Sequence, residues 1–246
     1  MNFLENFKKF LLDTLFPIEC LSCNKSDDWI CDDCLNKISI KNHQTCPLCK
    51  QIETPNGNTC FDCREKFSLD GLLVASFYRR NKHKTILAQL IHFYKYRFVS
   101  ELNNPLGEIL KKAFLNSNLI LPDFIIPIPL HHRRLRWRNF NQSKLLANYL
   151  SVNLTPGFKI DLLENVIIRK KYTQPQAKIK NRQQRIKNLQ GIFAINKNST
   201  DFKLIKNKTI LLVDDVATTG STLFECAKAL KQNHVKKVYA IVLARQ

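Results

Sequence analysis

Residues 209–223 constrain the fold of this chain more than any other part of the sequence. Residues 209–213 form an apolar, partly β-branched run, which is typical of a strand buried on both faces of a parallel sheet. Asp214 and Asp215 follow this run, and a small hydroxylated loop then leads into a helix predicted to start at about Thr222. This order of strand, acid pair, loop and helix predicts an α/β domain.

The residues at the end of this strand have the chemistry of a sugar-phosphate site. Ligands of open α/β sheets bind beyond the carboxyl ends of strands, and a helix start offers N–H groups and a positive dipole end to a phosphate. Gly220 allows the backbone to approach an anion closely. Because two carboxylates would repel that anion, we assign them to a ribose diol, with or without a divalent cation. An ordinary helix N-cap explains neither the adjacent acids nor the hydroxyl cluster.

Eight of the nine cysteines form four Cys-x2-Cys pairs near the start of the chain. Two such pairs complete a tetrahedral zinc site, and nothing in the sequence suggests the secretion that would favour disulfides instead. Short intervening loops favour a shared ion for consecutive pairs, although an interleaved grouping is also geometrically open. We therefore expect two structural zinc sites with four ligands each, at Cys20, Cys23, Cys31 and Cys34 and at Cys46, Cys49, Cys60 and Cys63.

Charge is distributed unevenly along the chain. The formal charge is −2 over residues 1–66 and +21 over the remainder. A basic part of this kind indicates a polyanionic partner, for which nucleic acid is the natural candidate, although a lysine-rich proteome would explain part of the excess. No apolar run reaches the roughly 18 residues of a membrane span, so no transmembrane segment is expected. We predict a helix and double zinc ribbon over residues 1–67 and an α/β domain over residues 68–246.

A second basic segment follows another predicted strand. Residues 123–129 form an apolar run, and residues 131–138 contain four arginines and two histidines. An anionic leaving group would lie at such a strand end, and arginine side chains bind phosphate oxygens with two parallel hydrogen bonds. Residues 165–200 contain nine basic residues and no acid, which suits either a lid over the site or a face for a nucleic-acid backbone.

Two of these segments resemble a known family. The run VDDVATTGST resembles the 5-phosphoribosyl 1-pyrophosphate (PRPP) motif of type I phosphoribosyltransferases, and PIPLHHRRLRWRNFNQ resembles the signature of the ComF (ComFC/GntX) branch of phosphoribosyltransferase-like proteins. The resemblance covers nearly the whole chain. It implies a type I phosphoribosyltransferase fold, a parallel sheet flanked by helices, with an N-terminal double zinc ribbon.

The resemblance also assigns the ligand groups. Asp214 and Asp215 would hold the ribose 2′- and 3′-hydroxyls, and magnesium would accompany PRPP. The 5′-phosphate loop would comprise Ala217, Thr218, Thr219, Gly220, Ser221 and Thr222. The pyrophosphate candidates are Arg133, Arg134, Arg138 and His131.

The ComF resemblance implies the handling of incoming single-stranded DNA during natural transformation. Its expected partners are a ComFA-like helicase at the inner membrane and recombination mediators, with the protein in the cytoplasm or at the inner face of that membrane. Aromatic residues beside cations suit the binding of single strands, although sheet and core packing explains many of them equally well. The candidate DNA-binding residues are Lys95, Arg97, Lys178, Lys180, Arg182 and Arg185.

Two other functions stay open at this point. The chain could be an active phosphoribosyltransferase that transfers ribose 5-phosphate from PRPP to an unidentified acceptor, since the acids and arginines would serve such a reaction. It could also be a zinc-ribbon scaffold that kept the transferase fold and lost its chemistry. No segment identifies an acceptor pocket.

Overall fold

A computed structural model of the chain describes residues 18–80, 83–170 and 191–246. The chain divides into two compact units, one ending at Ser39 and the other beginning at Ile40. The first cysteine group lies in the first unit, and the second group lies in the same unit as the sheet. The predicted domain boundary near residue 67 stays a prediction, and the helix predicted over residues 1–16 lies outside the described residues.

All of the described strands, and all of the described α-helices except the first, lie in the second unit. The strands are β1 (Gly71–Phe77), β2 (Arg79–Arg80), β3 (His83–Lys84), β4 (Phe124–Pro127), β5 (Ile167–Arg169), β6 (Phe193–Ile195), β7 (Thr209–Ala217) and β8 (Lys237–Arg245). The α-helices are α1 (Asp32–Asn36), α2 (Phe61–Arg64), α3 (Ile86–His92), α4 (Asn103–Leu115), α5 (His132–Arg138), α6 (Gln142–Asn153) and α7 (Ser221–Lys231). Short 3-10 helices span Pro55–Gly57, Ser100–Leu102 and Thr200–Ile205, and a π-helical turn spans Phe93–Arg97.

The main sheet has four strands in the order β1-β8-β7-β4, and all neighbouring strands are parallel. This confirms the predicted parallel sheet flanked by helices. Strand β7 is longer than predicted, because it continues past the acid pair to Ala217 and keeps its register with β8. Asp214 and Asp215 therefore lie near the carboxyl end of this strand, at the edge of the sheet where ligands bind in open α/β folds.

Helices cover both faces of this sheet. Alternate residues of all four strands pack against α7 in one buried cluster that includes Val74, Ile126, Leu212 and Val242. Helices α4 and α6 contact each other, and they contact β1 and β7 respectively. The longest helix in the described ranges, α4, has 13 residues, and none of the described helices combines the length and apolar character needed to cross a membrane.

The second cysteine segment covers the free edge of β1. The Gln44 side chain donates to the Val74 carbonyl over 3.0 Å and accepts from the Val74 N–H over 3.1 Å, which continues the pairing that an edge strand lacks. The Lys41 N–H donates to the Ala75 carbonyl, and the Thr59 hydroxyl donates to the Leu69 carbonyl. The segment is therefore part of the packing that completes the sheet.

Candidate functional site

A cavity of 530 Å³ opens at the carboxyl ends of β4 and β7. The π-helical turn, α5 and the start of α6 form its walls. Five cationic side chains and the two acids lie in this lining, so the described part of the cavity carries an excess of positive charge suited to an anion. These charged residues are Lys95, Arg133, Arg134, Arg138, Arg169, Asp214 and Asp215.

The two acids accept hydrogen bonds from α6 and from the backbone of β7 itself. Ser143 in the first turn of α6 donates its hydroxyl to Asp214 Oδ1 over 2.8 Å, and the Asp215 N–H donates to the same oxygen over 2.9 Å. The Val216 N–H donates to Asp215 Oδ1 over 2.6 Å. The Asn141 side chain caps α6 and donates to the Ile128 carbonyl, which fixes the start of the helix beside the acids. The pair is therefore preorganised.

Lys95 reaches the acid pair from the π-helical turn. Its Nζ lies 2.7 Å from Asp215 Oδ1, and the side chains of Lys95 and Asp215 are only 18% and 10% exposed. The sequence analysis placed Lys95 among the DNA-binding candidates. No pattern in the neighbouring residues predicts that its side chain lies in the cavity beside Asp215. A lysine at this distance neutralises one of two adjacent carboxylates.

Asp214 has a perturbed protonation equilibrium. Burial and the neighbouring Asp215 carboxylate raise the pKa of Asp214 to about 7, while the Lys95 ammonium opposes the rise. Because the folded chain binds this proton more tightly than the unfolded chain, ionising Asp214 lowers stability as the pH rises from its ordinary pKa of 3.8 towards 7. A hydroxyl donor or a cation at the pair would offset this cost.

In the loop after the acids, some residues line the cavity and others pack in the protein interior. Thr218 and Thr222 line the cavity, whereas Ala217 is buried in the core. The hydroxyls of Thr219 and Ser221 bond to each other over 2.7 Å, and Ser221 begins α7 one residue before the predicted start. Gly220 has a φ of 83°, and a Cβ there would lie 3.0 Å from the Phe224 ring, so this turn requires glycine.

The predicted pyrophosphate candidates lie on or beside α5. Arg133, Arg134 and Arg138 line the cavity, and all three belong to this short helix. His131 is not among the lining residues, because it is buried and its Nδ1 accepts from the Arg133 N–H at the start of α5. Burial, followed by the charge of His132, lowers the pKa of His131, which favours a neutral ring.

Arg169 and Gln142 are two of the lining residues that sequence reasoning missed. Arg169 comes from β5, in a basic stretch that gave no indication of its direction. Gln142 is the last residue of the segment that resembles the ComF signature, but the sequence analysis assigned no role to its side chain. Its side chain is 1% exposed, it accepts from Arg138 over 3.1 Å, and its Nε2 has no hydrogen-bond partner among the described residues.

An exposed aromatic cluster lies beside the cavity. The Phe98 and Trp137 rings meet edge to face with centroids 5.1 Å apart, and the Arg138 guanidinium lies 5.6 Å from the Tyr96 ring centroid and 5.9 Å from that of Trp137. Trp137 is 59% exposed. We call Tyr96, Phe98, Trp137 and Arg138 the aromatic platform. Of the other predicted DNA-binding residues, Arg97 is exposed, and Lys178, Lys180, Arg182 and Arg185 lie outside the described residues.

The eight paired cysteines form two compact groups, each made of consecutive pairs. Within each group all four Sγ atoms lie within 4.8 Å of one another, so the favoured grouping is the one found. Tetrahedral zinc with Zn–S distances of 2.3 Å requires sulfurs about 3.8 Å apart. The Cys23 and Cys31 sulfurs are 3.6 Å apart and those of Cys49 and Cys60 are 3.9 Å apart, so both groups fit a zinc ion. None of the nine cysteines forms a disulfide.

Comparisons with known proteins agree with this arrangement. The family model described as a phosphoribosyl transferase domain matches residues 145–246. The chain is 30% identical over 241 residues to Competence protein F of Haemophilus influenzae, covering 94% of this chain and 98% of the relative. It is 29% identical to the DNA utilization protein YhgH of Escherichia coli K12, covering 88% and 90% of the two chains.

A further relative has a somewhat lower identity. The chain is 27% identical to Competence protein ComFC of Bacillus subtilis, covering 84% of this chain and 79% of the relative. The match to Competence protein F covers 94% of this chain, so it includes both the cysteine groups and most of the sheet. The chain therefore belongs to the ComF family and carries a phosphoribosyl transferase domain in its C-terminal part.

Proposed function

We propose that this chain is a ComF-type protein that handles incoming single-stranded DNA in natural transformation through a PRPP-binding domain. The observation that carries the proposal is the convergence of an acid pair, a hydroxylated loop and several arginines on one cavity. The names of the relatives, which refer to competence and DNA utilization, support the DNA part of the proposal.

PRPP matches the distribution of charge in this cavity. Its 2′- and 3′-hydroxyls are donors for Asp214 and Asp215, and its 5′-phosphate suits the hydroxyls and N–H groups at the start of α7. Its pyrophosphate suits Arg133, Arg134 and Arg138, which form the cationic wall. A ligand with a phosphate group at one end only would occupy either the start of α7 or the arginines, and it would leave the other group without a ligand.

Magnesium, which the family resemblance implies, fits the acid pair poorly as a directly bound ion. Oδ1 of each acid already accepts from protein donors, and the Lys95 ammonium lies 2.7 Å from Asp215 Oδ1. Mg²⁺ bound chiefly by ligand phosphates, as is common for this ion, would not need these oxygens. No role in the proposed binding is therefore given to a carboxylate-bound magnesium.

Sugar recognition by the acid pair predicts a preference for ribose over deoxyribose. We expect ribose 5-phosphate to bind about 10- to 150-fold more tightly than 2-deoxyribose 5-phosphate, because a missing hydroxyl leaves a carboxylate without a bond worth about 1.5–3 kcal/mol. Titration calorimetry measures both affinities, with PRPP as the reference ligand. Equal affinities for the two sugars would contradict the assignment of the acids.

The aromatic platform supports the DNA part of the proposal. Exposed rings beside guanidinium groups bind unpaired bases by stacking, and the neighbouring cations attract the phosphate backbone without sequence preference. The platform adjoins the cavity, since Tyr96, Trp137 and Arg138 also belong to its lining. A bound strand would therefore pass close to the PRPP site.

Loss of the platform ring is expected to weaken DNA binding at every salt concentration. We predict that Trp137→Ala lowers the affinity for a labelled single-stranded oligonucleotide about 5- to 150-fold, because stacking contributes about 1–3 kcal/mol per base. Filter binding over a salt series should give the same salt slope as wild type, since no charge is lost. Phe158→Ala, an equally exposed ring beyond the other end of α6, is the control. Unchanged binding of Trp137→Ala would exclude the platform.

An active phosphoribosyltransferase is the second candidate function. A nitrogen nucleophile would form a bond to C1 of PRPP while the C1–O bond breaks, pyrophosphate leaves towards the arginines, and the nucleophile loses a proton to solvent. The cationic wall facing the acid pair favours this reading, because it would stabilise the separating pyrophosphate. Release of pyrophosphate with a panel of amine acceptors would separate turnover from binding alone.

The remaining parts of the proposal concern partners and location. The proposed partners are a ComFA-like helicase and recombination mediators, at the cytoplasmic side of the inner membrane. The two cysteine groups are proposed to hold one structural zinc ion each, since their sulfur spacing fits that ion. Co-purification of the chain with the helicase from transforming cells would test the partner assignment.

A further inference from the structure

We infer that Lys95 supplies to the acid pair the positive charge that a divalent cation would otherwise supply, so that PRPP binding to this chain needs no divalent cation at the carboxylates. The inference rests on the proposed function and deepens it, because it assigns a specific role to a residue of the same cavity. Lys95 would act as a positioning residue, since it acts through Asp215.

The fold fixes Lys95 from both sides along the chain. Tyr94, the preceding residue, is fully buried, and its hydroxyl donates to the Gln142 carbonyl over 3.2 Å. Phe98 closes the π-helical turn with a φ of 59°, a left-handed conformation that ends the helix. π-helical turns are rare and occur frequently at functional sites. The position of Lys95 in such a turn therefore supports a functional role for this residue.

The ion pair lies in a place where charge neutralisation has a large effect. Asp214 and Asp215 are adjacent in sequence, Asp215 is 7% exposed, and a single 2.7 Å contact joins it to Lys95. Two neighbouring carboxylates with little access to water repel each other and any incoming phosphate. A cation held beside them, as the Lys95 ammonium is, removes much of that repulsion. Lys95 therefore prepares the pair for a polyanion.

A directly bound magnesium would compete with Lys95 for the same oxygen. Mg²⁺ requires nearly octahedral oxygen ligands at 2.0–2.1 Å, and an ammonium at 2.7 Å from Asp215 Oδ1 would repel it. The Val216 N–H also donates to this oxygen, so two donors already satisfy it. The charges around the acid pair favour the resident lysine over a second cation.

The inference is tested by the effect of divalent cations on PRPP binding. Calorimetry is run with PRPP in buffer containing either EDTA or magnesium chloride, on wild type, Lys95→Met and Lys95→Arg. We expect the affinity of wild type for PRPP to agree within about threefold in the two buffers. In EDTA, Lys95→Met should bind PRPP at least about tenfold more weakly than wild type, because it lacks the charge-assisted contact to Asp215. Magnesium should restore part of the affinity of Lys95→Met.

A control variant and the Lys95→Arg variant make the comparison specific. Lys208→Met removes an exposed lysine that contacts Asp123 over 3.0 Å at the opposite end of β7, and it should bind PRPP as wild type does in both buffers. Lys95→Arg keeps the charge and should keep binding in EDTA. If Lys95→Met is too unstable to purify, the comparison of wild type in the two buffers and the Lys95→Arg variant still carry the test.

Three results would overturn the inference. In the first, both wild type and Lys95→Met bind PRPP only when magnesium is present. This result would show that Lys95 does not replace the cation, and it would leave the proposed function intact. Tighter binding by Lys95→Met in EDTA would show that the lysine obstructs the site. Failure of wild type to bind PRPP in both buffers would remove the proposed function and this inference with it.

Discussion

A chain carrying Asp214→Asn and Asp215→Asn together is expected to bind PRPP at least 100-fold more weakly than wild type. Each carboxylate would accept a sugar hydroxyl, and each such bond to a charged group contributes about 1.5–3 kcal/mol, so the two together account for more than about 3 kcal/mol. The asparagine side chains keep the volume of the acids, so the change removes charge without opening a cavity. Titration calorimetry with PRPP measures the loss.

Inorganic pyrophosphate separates sugar recognition from general attraction of anions. It lacks the diol, so the double variant should bind it as well as wild type or better, because two negative charges have been removed from the cavity. Asp201→Asn, in the 3-10 helix Thr200–Ile205 outside the cavity lining, is the matched control. Equal PRPP affinities for wild type and the double variant would show that the acids have another role.

Replacing Cys46 by serine is expected to cause the largest loss of stability. Cys46 is fully buried, and its sulfur accepts from the Cys60 N–H over 3.4 Å within the second cysteine group. A structural zinc contributes about 10–16 kcal/mol of apparent binding energy in small zinc-binding peptides, and loss of one of four ligands removes much of it. We expect the free energy of unfolding to fall by at least about 3 kcal/mol, measured by denaturant titration, a size comparable to the breaking of other metal sites.

The loss should extend into the sheet, because the same segment covers the edge of β1. The Arg245 guanidinium at the end of β8 donates to the Pro47 carbonyl, between the first two cysteines of this group, over 2.5 Å. Metal analysis should give two zinc ions for wild type and one for Cys46→Ser. Cys226→Ala, which removes the thiol outside both groups, should retain two. Wild type that contains no zinc, or that keeps its full stability after a chelator has removed the zinc, would contradict the metal assignment.

Much of the fold followed from local patterns. The apolar runs at β7 and β4 predicted buried parallel strands, and the paired cysteines predicted two groups of four, because these signals depend on neighbours in sequence. The end of β7 was placed four residues early. Polar residues usually end a strand, but here the pairing of Val216 with Ala244 continues the ladder beyond the acids.

The parts of the site that sequence reasoning missed depend on long-range packing. Lys95 lies 120 positions before Asp215, and its direction is set by the burial of Tyr94 and by a π-helical turn that no periodicity indicates. Arg169 reaches the cavity because β5 pairs with β6. A basic residue in a basic stretch carries no information about such pairing, so only the fold identifies it as a lining residue.

A crystal of the protein soaked with PRPP gives the most direct test of whether Asp214 and Asp215 bind the sugar. We expect the 2′- and 3′-hydroxyls to lie about 2.5–3.0 Å from the carboxylate oxygens, as for hydroxyl donors in general. The 5′-phosphate should lie against residues 218–222, and the pyrophosphate should face Arg133 and Arg134. Ordered PRPP bound elsewhere, or a sugar with no contact to either acid, would contradict the assignment.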